Sequence, residues 1–380
     1  MKIENVIGFA LSSPYGDGVA LGHTLGLKSV GLVEVITDDG VIGIGETYAG
    51  VYAPELVAPI ADFLKQYLVG IKLAEVDDFR RSISYIPFVG RNGIISSVLS
   101  AIDIALWDIR GKIEGKPVWA MLSESRNSEG CALYASAGSS VLSPKEIESE
   151  LIELLDQGFG AFKMRVGIQN WQTDLERVAT ARRNLGSERH LMIDAIMGTN
   201  KEPWDIQKAT ARATDLATFD PYWLEEPLHP GDVGAHARLR EDISIPIASG
   251  EALTGMWEFS QYLDCDGLDI IQPDVSHCGG MGLCRDVVLK AREKELRVAM
   301  HVWGSPVAFA ANAQMALAFP EIEYLEVPSM SLALSSDIES ELWPLSGARL
   351  EPTDAPGLGV SLPNFVKEKY SFVPRTGYRL

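Results

Sequence analysis

The sequence predicts an α/β protein: a (β/α)8-type TIM barrel with an N-terminal α+β capping domain that the C-terminal segment completes. Three observations predict it. From about residue 130 to 328, short β-type runs alternate with helical stretches eight times. Residues 1 to about 125 read instead as a sheet followed by helices. Several of the eight runs end in a titratable residue, and strand C-termini are where barrel enzymes build their sites.

The expected boundaries are 1–125 for the capping domain, 126–328 for the barrel and 329–380 for a segment that returns to the cap. In the first part, Leu32–Thr37 and Val41–Gly45 are β-rich runs around Asp38-Asp39-Gly40, a hairpin signal. Helical patterns follow near 54–69 and 95–114. The eight barrel runs are Ala132–Ser136, Ala161–Val166, Leu191–Asp194, Tyr222–Glu225, Ile245–Ala248, Leu268–Gln272, Arg297–His301 and Glu323–Glu326. Alternating βα units imply a parallel sheet, and eight of them suggest closure. A doubly wound open sheet is the alternative, but no glycine-rich dinucleotide fingerprint supports it.

With 380 residues, the chain has room for one barrel of roughly 250 residues and a smaller domain. The formal charge of −19 repels phosphate backbones, so nucleic acid is not an expected partner. Cys131, Cys265, Cys278 and Cys284 form no CxxC pair, which favours reduced thiols over a disulfide framework or a zinc site. The start, Met1-Lys2-Ile3-Glu4, lacks a signal-peptide core, and no apolar run is long enough to span a bilayer. The expected compartment is the cytoplasm, with no membrane partner.

The strand-end residues carry the chemistry. Asp194, Glu225 and Glu251 follow the third, fourth and fifth runs. Neighbouring strands are about 4.8 Å apart, so three such carboxylates converge, and without a cation they repel one another. An all-oxygen set suits Mg²⁺ or Mn²⁺ better than zinc. Glu226 should point to the other side of the strand and pair with a neighbouring cation. Asp274 and His301 end the sixth and seventh runs. A carboxylate beside an imidazole fixes its tautomer and raises its basicity, which makes a general acid/base unit. Lys163 and Arg165 lie two apart on one strand, so both face the same way, opposite His301. A cationic pair facing a metal suits an anionic substrate; it also suits simple charge balance. Arg165 keeps its proton, whereas Lys163 is a base if its neighbours depress its pKa. Trp303 either shapes the pocket or packs the barrel.

With these residues in place the chain resembles the enolase superfamily, in particular its mandelate racemase-like subgroup. The resemblance rests on the capping domain, the segment Ala105-Leu106-Trp107-Asp108-Ile109-Arg110-Gly111-Lys112 and the strand-end order. It implies that Mg²⁺ binds a substrate carboxylate while a base removes the α-proton, giving an enolate. It assigns the ligands to Asp194, Glu225 and Glu251, and the acid/base dyad to His301 with Asp274. Glu326 matches a carboxyl that, protonated, hydrogen-bonds the enolate, and Lys163 matches the first lysine of a Lys-x-Lys motif. Two departures stand out. The second lysine is Arg165, which puts a two-base racemase in doubt. The position two after the aspartate ligand, commonly Asn, is Ile196, which offers no hydrogen bond to a substrate hydroxyl; either Asn200 substitutes from the loop or the substrate lacks a hydroxyl there.

The expected reaction is dehydration of an acid sugar to a 2-keto-3-deoxy acid, with lactone cycloisomerisation or racemisation/epimerisation as the alternative and a non-catalytic binding barrel as a remote one. The partner is then a small carboxylate, and the resemblance implies a homo-oligomer. Residues 13–18 read as a mobile loop, with Thr47, Tyr48 and Tyr52 as a second candidate segment. Tyr15, His23 and Tyr48 are expected at the distal end of the substrate.

Overall fold

The computed structural model describes residues 1–16, 22–75, 90–123, 129–343 and 348–379. Asp17 and Gly18 of the expected mobile loop lie outside them.

The cap is built on a three-stranded antiparallel sheet of β1 (Ile3–Pro14), β2 (Leu27–Thr37) and β3 (Ile42–Thr47). The hairpin at Asp38–Gly40 joins β2 to β3, with Gly40 at φ 86°. The first strand was not anticipated. The helix Gly93–Glu114 lies against β3. It comes very close: a Cβ on Gly43 or Gly45 would stand 2.0 Å from the carbonyl oxygens of Ala105 or Ala101. The glycines that interrupt the strand are therefore the price of that helix–sheet contact.

The barrel is closed. Strands β4 (Cys131–Ser136), β5 (Ala161–Arg165), β6 (His190–Asp194), β7 (Trp223–Glu225), β8 (Ile247–Ser249), β9 (Ile270–Ile271), β10 (Arg297–Met300) and β11 (Ile322–Pro328) pair in parallel in sequence order, and β11 returns to β4. All eight expected runs become strands, within a few residues of their expected ends. Helices cover the outside, one between most strands and two, Val275–Cys278 and Met281–Glu293, after β9.

One layer of side chains fills the barrel: Tyr134, Ala161, Met192, Trp223, Ala248 and Ile270, with Ala299 closing the ring. Side chains alternate along a strand, so the residue two further on points inward again, one level higher. That rule converts the apolar layer into a polar one: Ser136, Lys163, Asp194, Glu225, Gly250, Gln272, His301 and, above Tyr324, Glu326.

The segment after the barrel returns to the cap. Ser12 N donates to Tyr370 O (3.0 Å), Val373 N to Ser12 Oγ (3.0 Å), and Thr376, fully buried, meets Ser29 Oγ at 2.6 Å. All four cysteines are free thiols, and three are buried. Among the described residues no helix is long and apolar enough to cross a membrane.

Candidate active site

The polar layer opens into a cavity of about 100 Å³ under the cap. Strand register sets its chemistry. Arg165, Asp194 and Glu225 are direct neighbours across β5, β6 and β7. Lys163, buried, places Nζ 2.6 Å from Glu225 Oε1, 3.0 Å from Glu326 Oε1 and 3.9 Å from Asp194 Oδ2. Burial alone would lower its pKa, but these carboxylates outweigh burial and raise it. The neighbours therefore hold Lys163 as a cation rather than freeing it as a base. Arg165 donates to Ala137 O (3.0 Å) and Ser136 Oγ (3.1 Å), with Nε 3.9 Å from Asp194 Oδ2.

His301 stands across the cavity. Its Nδ1 is 2.9 Å from Asp274 Oδ2, and its Nε2 is 3.3 Å from Glu251 Oε2 and 3.8 Å from Glu326 Oε2. Asp274 is itself fixed: its Oδ1 accepts from Ser276 N (2.8 Å), Ser276 Oγ (2.7 Å) and Asn312 Nδ2 (3.0 Å). Such an anchored carboxylate sets the orientation and tautomer of the ring. Burial favours neutral His301, yet Glu251, Glu326 and the bond to Asp274 raise its pKa to about 10. Glu326 shifts the other way. Burial would raise it, but Lys163 and His301 hold it ionised, down to about 2. Its Oε1 pairs with Lys163 Nζ at 3.0 Å.

The carboxylates expected to converge are arranged less simply. Glu225 is already occupied: Oε1 takes Lys163, and Oε2 accepts from Trp223 Nε1 (3.0 Å) and Gln272 Nε2 (2.8 Å). Glu226 does not turn away to pair with a cation. Its φ is 42°, its Oε2 accepts from Gly198 N at 3.3 Å, and among the described residues its buried Oε1 has no hydrogen-bond partner. Burial, then the charges of Glu251 and Asp194, push its carboxyl well above the usual range. Asp194 and Glu251 are also raised, first by burial, and each is countered by a cationic neighbour. Among the described residues no three acidic, histidine or cysteine side chains already stand as a coordination shell.

The other expected contacts divide. Tyr15, His23, Tyr48 and Trp303 line the cavity; Asn200 and Thr47 do not. Asn200 Oδ1 accepts from Glu202 N (3.0 Å) within its own loop. Ile196 lines the cavity at φ 49°, a strained conformation for a β-branched residue, with its N–H on Asp194 Oδ1 (2.8 Å). Sequence reasoning missed Ser136, which binds Arg165, though the same period-two rule from Tyr134 reaches it. It also missed Tyr378, for which no periodic signal exists.

Behind Trp303 lies a buried lysine from the cap. Lys28 Nζ donates to Trp303 O (3.0 Å) and sits 4.4 Å from the centroid of the Trp303 ring and 4.9 Å from that of Tyr15. Trp303 Nε1 in turn donates to Tyr15 OH (3.0 Å). Burial lowers the Lys28 pKa to about 7, although Glu46 works against the shift.

Comparison with known proteins agrees with this arrangement. A family model described as "Enolase C-terminal domain-like" matches residues 146–366, and one for the mandelate racemase / muconate lactonizing enzyme N-terminal domain matches residues 18–123. The chain is 31% identical over 348 residues to a D-galactarolactone cycloisomerase of Agrobacterium fabrum, covering 87% of this chain and 88% of that one. It is 28% identical over 357 residues to an L-talarate/galactarate dehydratase of Salmonella typhimurium, covering 93% and 86%. The crystal structure of a racemase from Streptomyces coelicolor with bound magnesium superposes with a TM-score of 0.85 at 27% identity, covering 97% and 98%. Closed barrel, capping sheet and both family matches together place the chain in the enolase superfamily, in its mandelate racemase/muconate lactonizing enzyme-like family.

Proposed function

We propose that this protein abstracts the proton α to the carboxylate of a small sugar acid, with Mg²⁺ bound, and then expels the β-oxygen. The observation that carries the reading is the anchored His301–Asp274 pair, facing Lys163 and Arg165 across a cavity crowded with carboxylates.

Charge supports a cation there. Asp194, Glu225, Glu226, Glu251, Asp274 and Glu326 crowd around Lys163, Arg165 and His301, with Lys28 and His277 further out, and among the described residues one Glu226 oxygen has no hydrogen-bond partner. The donors are all oxygen, as Mg²⁺ prefers. Asp194, Glu225 and Glu251 would hold it, with Glu226 adding charge beside them. The bound ion would polarise the substrate carboxylate and stabilise the charge that develops on it.

The chain's own residues do the rest. Arg165, which keeps its proton, binds and orients the carboxylate. Lys163, held as a cation, stabilises the enolate oxygen. Glu251 and Glu326 keep the His301 ring protonated, and a cation held at Glu251 would offset that charge and free the ring to act as the base. His301 then removes the α-proton, and the C–H electrons move onto the carboxylate. Their return breaks the bond from the β-carbon to oxygen, and His301 gives its proton to the departing oxygen. The enol then tautomerises to a 2-keto-3-deoxy acid. If the leaving oxygen is a hydroxyl, water departs and the reaction is dehydration.

A second reading differs only in what carries that oxygen. If it belongs to a lactone or anhydro ring, the ring opens and the product is an isomer. Ile196 favours this version, because it offers no hydrogen bond to a free hydroxyl. The relatives named above include both a dehydratase and a cycloisomerase. Racemisation lacks a second base, since Arg165 stands at that position.

A panel of mono- and diacid sugars and their cyclic forms, assayed with Mg²⁺ for 2-keto acid, tests the proposal. A product one water lighter than substrate marks dehydration, and one of equal mass marks cycloisomerisation. The proposal fails if no sugar acid turns over and none exchanges its α-proton in D₂O.

A further inference from the structure

We propose that His277 is a positioning residue: it ties the cap helix to the two loops that hold His301, so that seating of the cap aligns the acid/base pair and the cation site. The inference rests on the reading above for what those loops do, and it names a residue which that reading leaves unused.

His301 is gripped from two sides. Asp274, on the loop after β9, stands 2.9 Å from its Nδ1, and Glu251, on the loop after β8, stands 3.3 Å from its Nε2. The spacing of these two loops therefore sets where the imidazole is held. His277 links them. It belongs to the short helix Val275–Cys278, which begins directly after Asp274, and its ring hydrogen-bonds the backbone of Ala252, the residue after Glu251. That bond favours the protonated ring, so the partner is the Ala252 carbonyl.

A third tie runs to the cap. His277 Nδ1 is 2.9 Å from Ser97 Oγ, on the helix Gly93–Glu114. Burial lowers the pKa of the ring to about 4, although Asp274 works against the shift, and a neutral ring carries one N–H. A carbonyl only accepts, so that N–H goes to Ala252, and Nδ1 accepts from the Ser97 hydroxyl. The hydroxyl oxygen is met in turn: Ala49 N donates to it (3.2 Å), and Thr47 Oγ1 stands 2.9 Å away. The chain of bonds thus runs from Thr47 through Ser97 and His277 to Ala252. The cap also reaches the site beside it. Tyr48 N donates to Ser276 O (3.0 Å), and the Tyr48 ring centroid lies 5.3 Å from that of His277 and 5.4 Å from that of His301.

The same helix supplies a comparison. Ser97, Ser100 and Asp103 are three residues apart and share a face. All are buried, and each meets the segment after β9. Ser100 Oγ accepts from Gly279 N (2.9 Å), and Asp103 Oδ2 accepts from Gly282 N (3.3 Å). Those two bonds end on backbone. Ser97 instead engages a side chain that continues to a second loop of the site. Docking alone would be shared by all three residues, whereas alignment belongs to the Ser97–His277 pair.

The test compares Ser97→Ala and His277→Phe with Ser100→Ala, which removes a bond of the same seam. Three quantities are read without any sugar acid: the urea midpoint, Mg²⁺ affinity by calorimetry, and the ring-nitrogen signals of His301 in protein labelled with ¹⁵N at its six histidines. Ser100→Ala should lower the midpoint and leave Mg²⁺ affinity and the His301 signals unchanged. Ser97→Ala and His277→Phe should each shift the His301 signals and weaken Mg²⁺ by about 3- to 10-fold, less than loss of a partner bonded directly to a ligand. Both act through one chain of bonds, so the double variant should stay within about 2-fold of His277→Phe. The inference is overturned if all three variants lower the midpoint and none moves Mg²⁺ affinity or the His301 signals, or if the two losses multiply in the double variant. If the native protein binds no Mg²⁺, the cation reading falls by itself, and the His301 signals alone decide the role of His277.

Discussion

The two ends of the cavity are built differently. At the barrel end, the charged groups stand on strands or within three residues of a strand end, and register fixes Lys163, Arg165, Asp194, Glu225 and Glu326. At the mouth, the rings come from the residue after β1, from the cap at His23 and around the short helix Ala49–Tyr52, from the loop after β10 and from a segment more than 300 residues away in sequence. The first end is periodic and electrostatic; the second is assembled from distant pieces and mostly apolar. On the proposed function, bond-making belongs to the barrel and discrimination to the mouth.

Substitutions can break that division. The largest effect is expected from His301→Asn. It should lower turnover by about 10²- to 10⁴-fold while leaving Mg²⁺ affinity within a few-fold. A variant that still exchanges the α-proton at the native rate would move the acid/base group elsewhere.

Next is the cation site. Asp194→Asn and Glu251→Gln should weaken Mg²⁺, measured by calorimetry, by more than the ~10- to 100-fold that a supporting partner costs. Glu225 and Glu226 sharpen the comparison. Glu225 is engaged by three donors, whereas Glu226 has an oxygen without a partner among the described residues. If Glu225→Gln costs more than Glu226→Gln, Glu225 is the ligand and Lys163 gives way on binding. The reverse order would make Glu226 the ligand.

Lys28 tests the seam between the two ends. Its folded pKa is about 7, far below the ordinary lysine value of 10.5. Below pH 7 it is protonated in both states, and the full cost of the buried charge is present. Between pH 7 and about 10.5 the unfolded chain binds the extra proton, so stability rises with pH. Native protein should therefore gain on Lys28→Met by one to a few kcal/mol across that window, read from urea midpoints. Parallel pH curves would show that Lys28 carries no such penalty. The smallest effect is expected at Asn200→Ala, within about 2-fold in kcat/KM, because that side chain serves its own loop. A tenfold loss would restore it as a substrate contact.

What was legible in the sequence follows the same division. Eight strands and the residues at their ends could be read because inward positions recur every second residue, and a titratable group at such a position stands out. The inward ring from Lys163 to Glu326 is that pattern. Glu226 escaped it because its left-handed backbone breaks the alternation that should have turned it outward. Asn200 was misplaced because a loop residue has no register. The first cap strand escaped because Ile3–Pro14 shows no strict alternation. Tyr378 was invisible for a different reason: nothing local marks a tyrosine whose place is set by contacts with Gly22 and Val51. Long-range closure leaves no periodic trace.

The threading of residues 370–379 through the cap also orders events during synthesis. Ser12 and Thr376, in contact in the finished protein, are 364 residues apart. The cap sheet emerges from the ribosome first, but its seam with Ser12 and Ser29 stays open until the barrel has been made and residue 376 has followed. The barrel can assemble from successive βα units as they appear, whereas the cap must wait. Closure of the mouth is thus a late event, and its group of aromatic rings, which lacks Tyr378 until then, is among the last parts of the molecule to form.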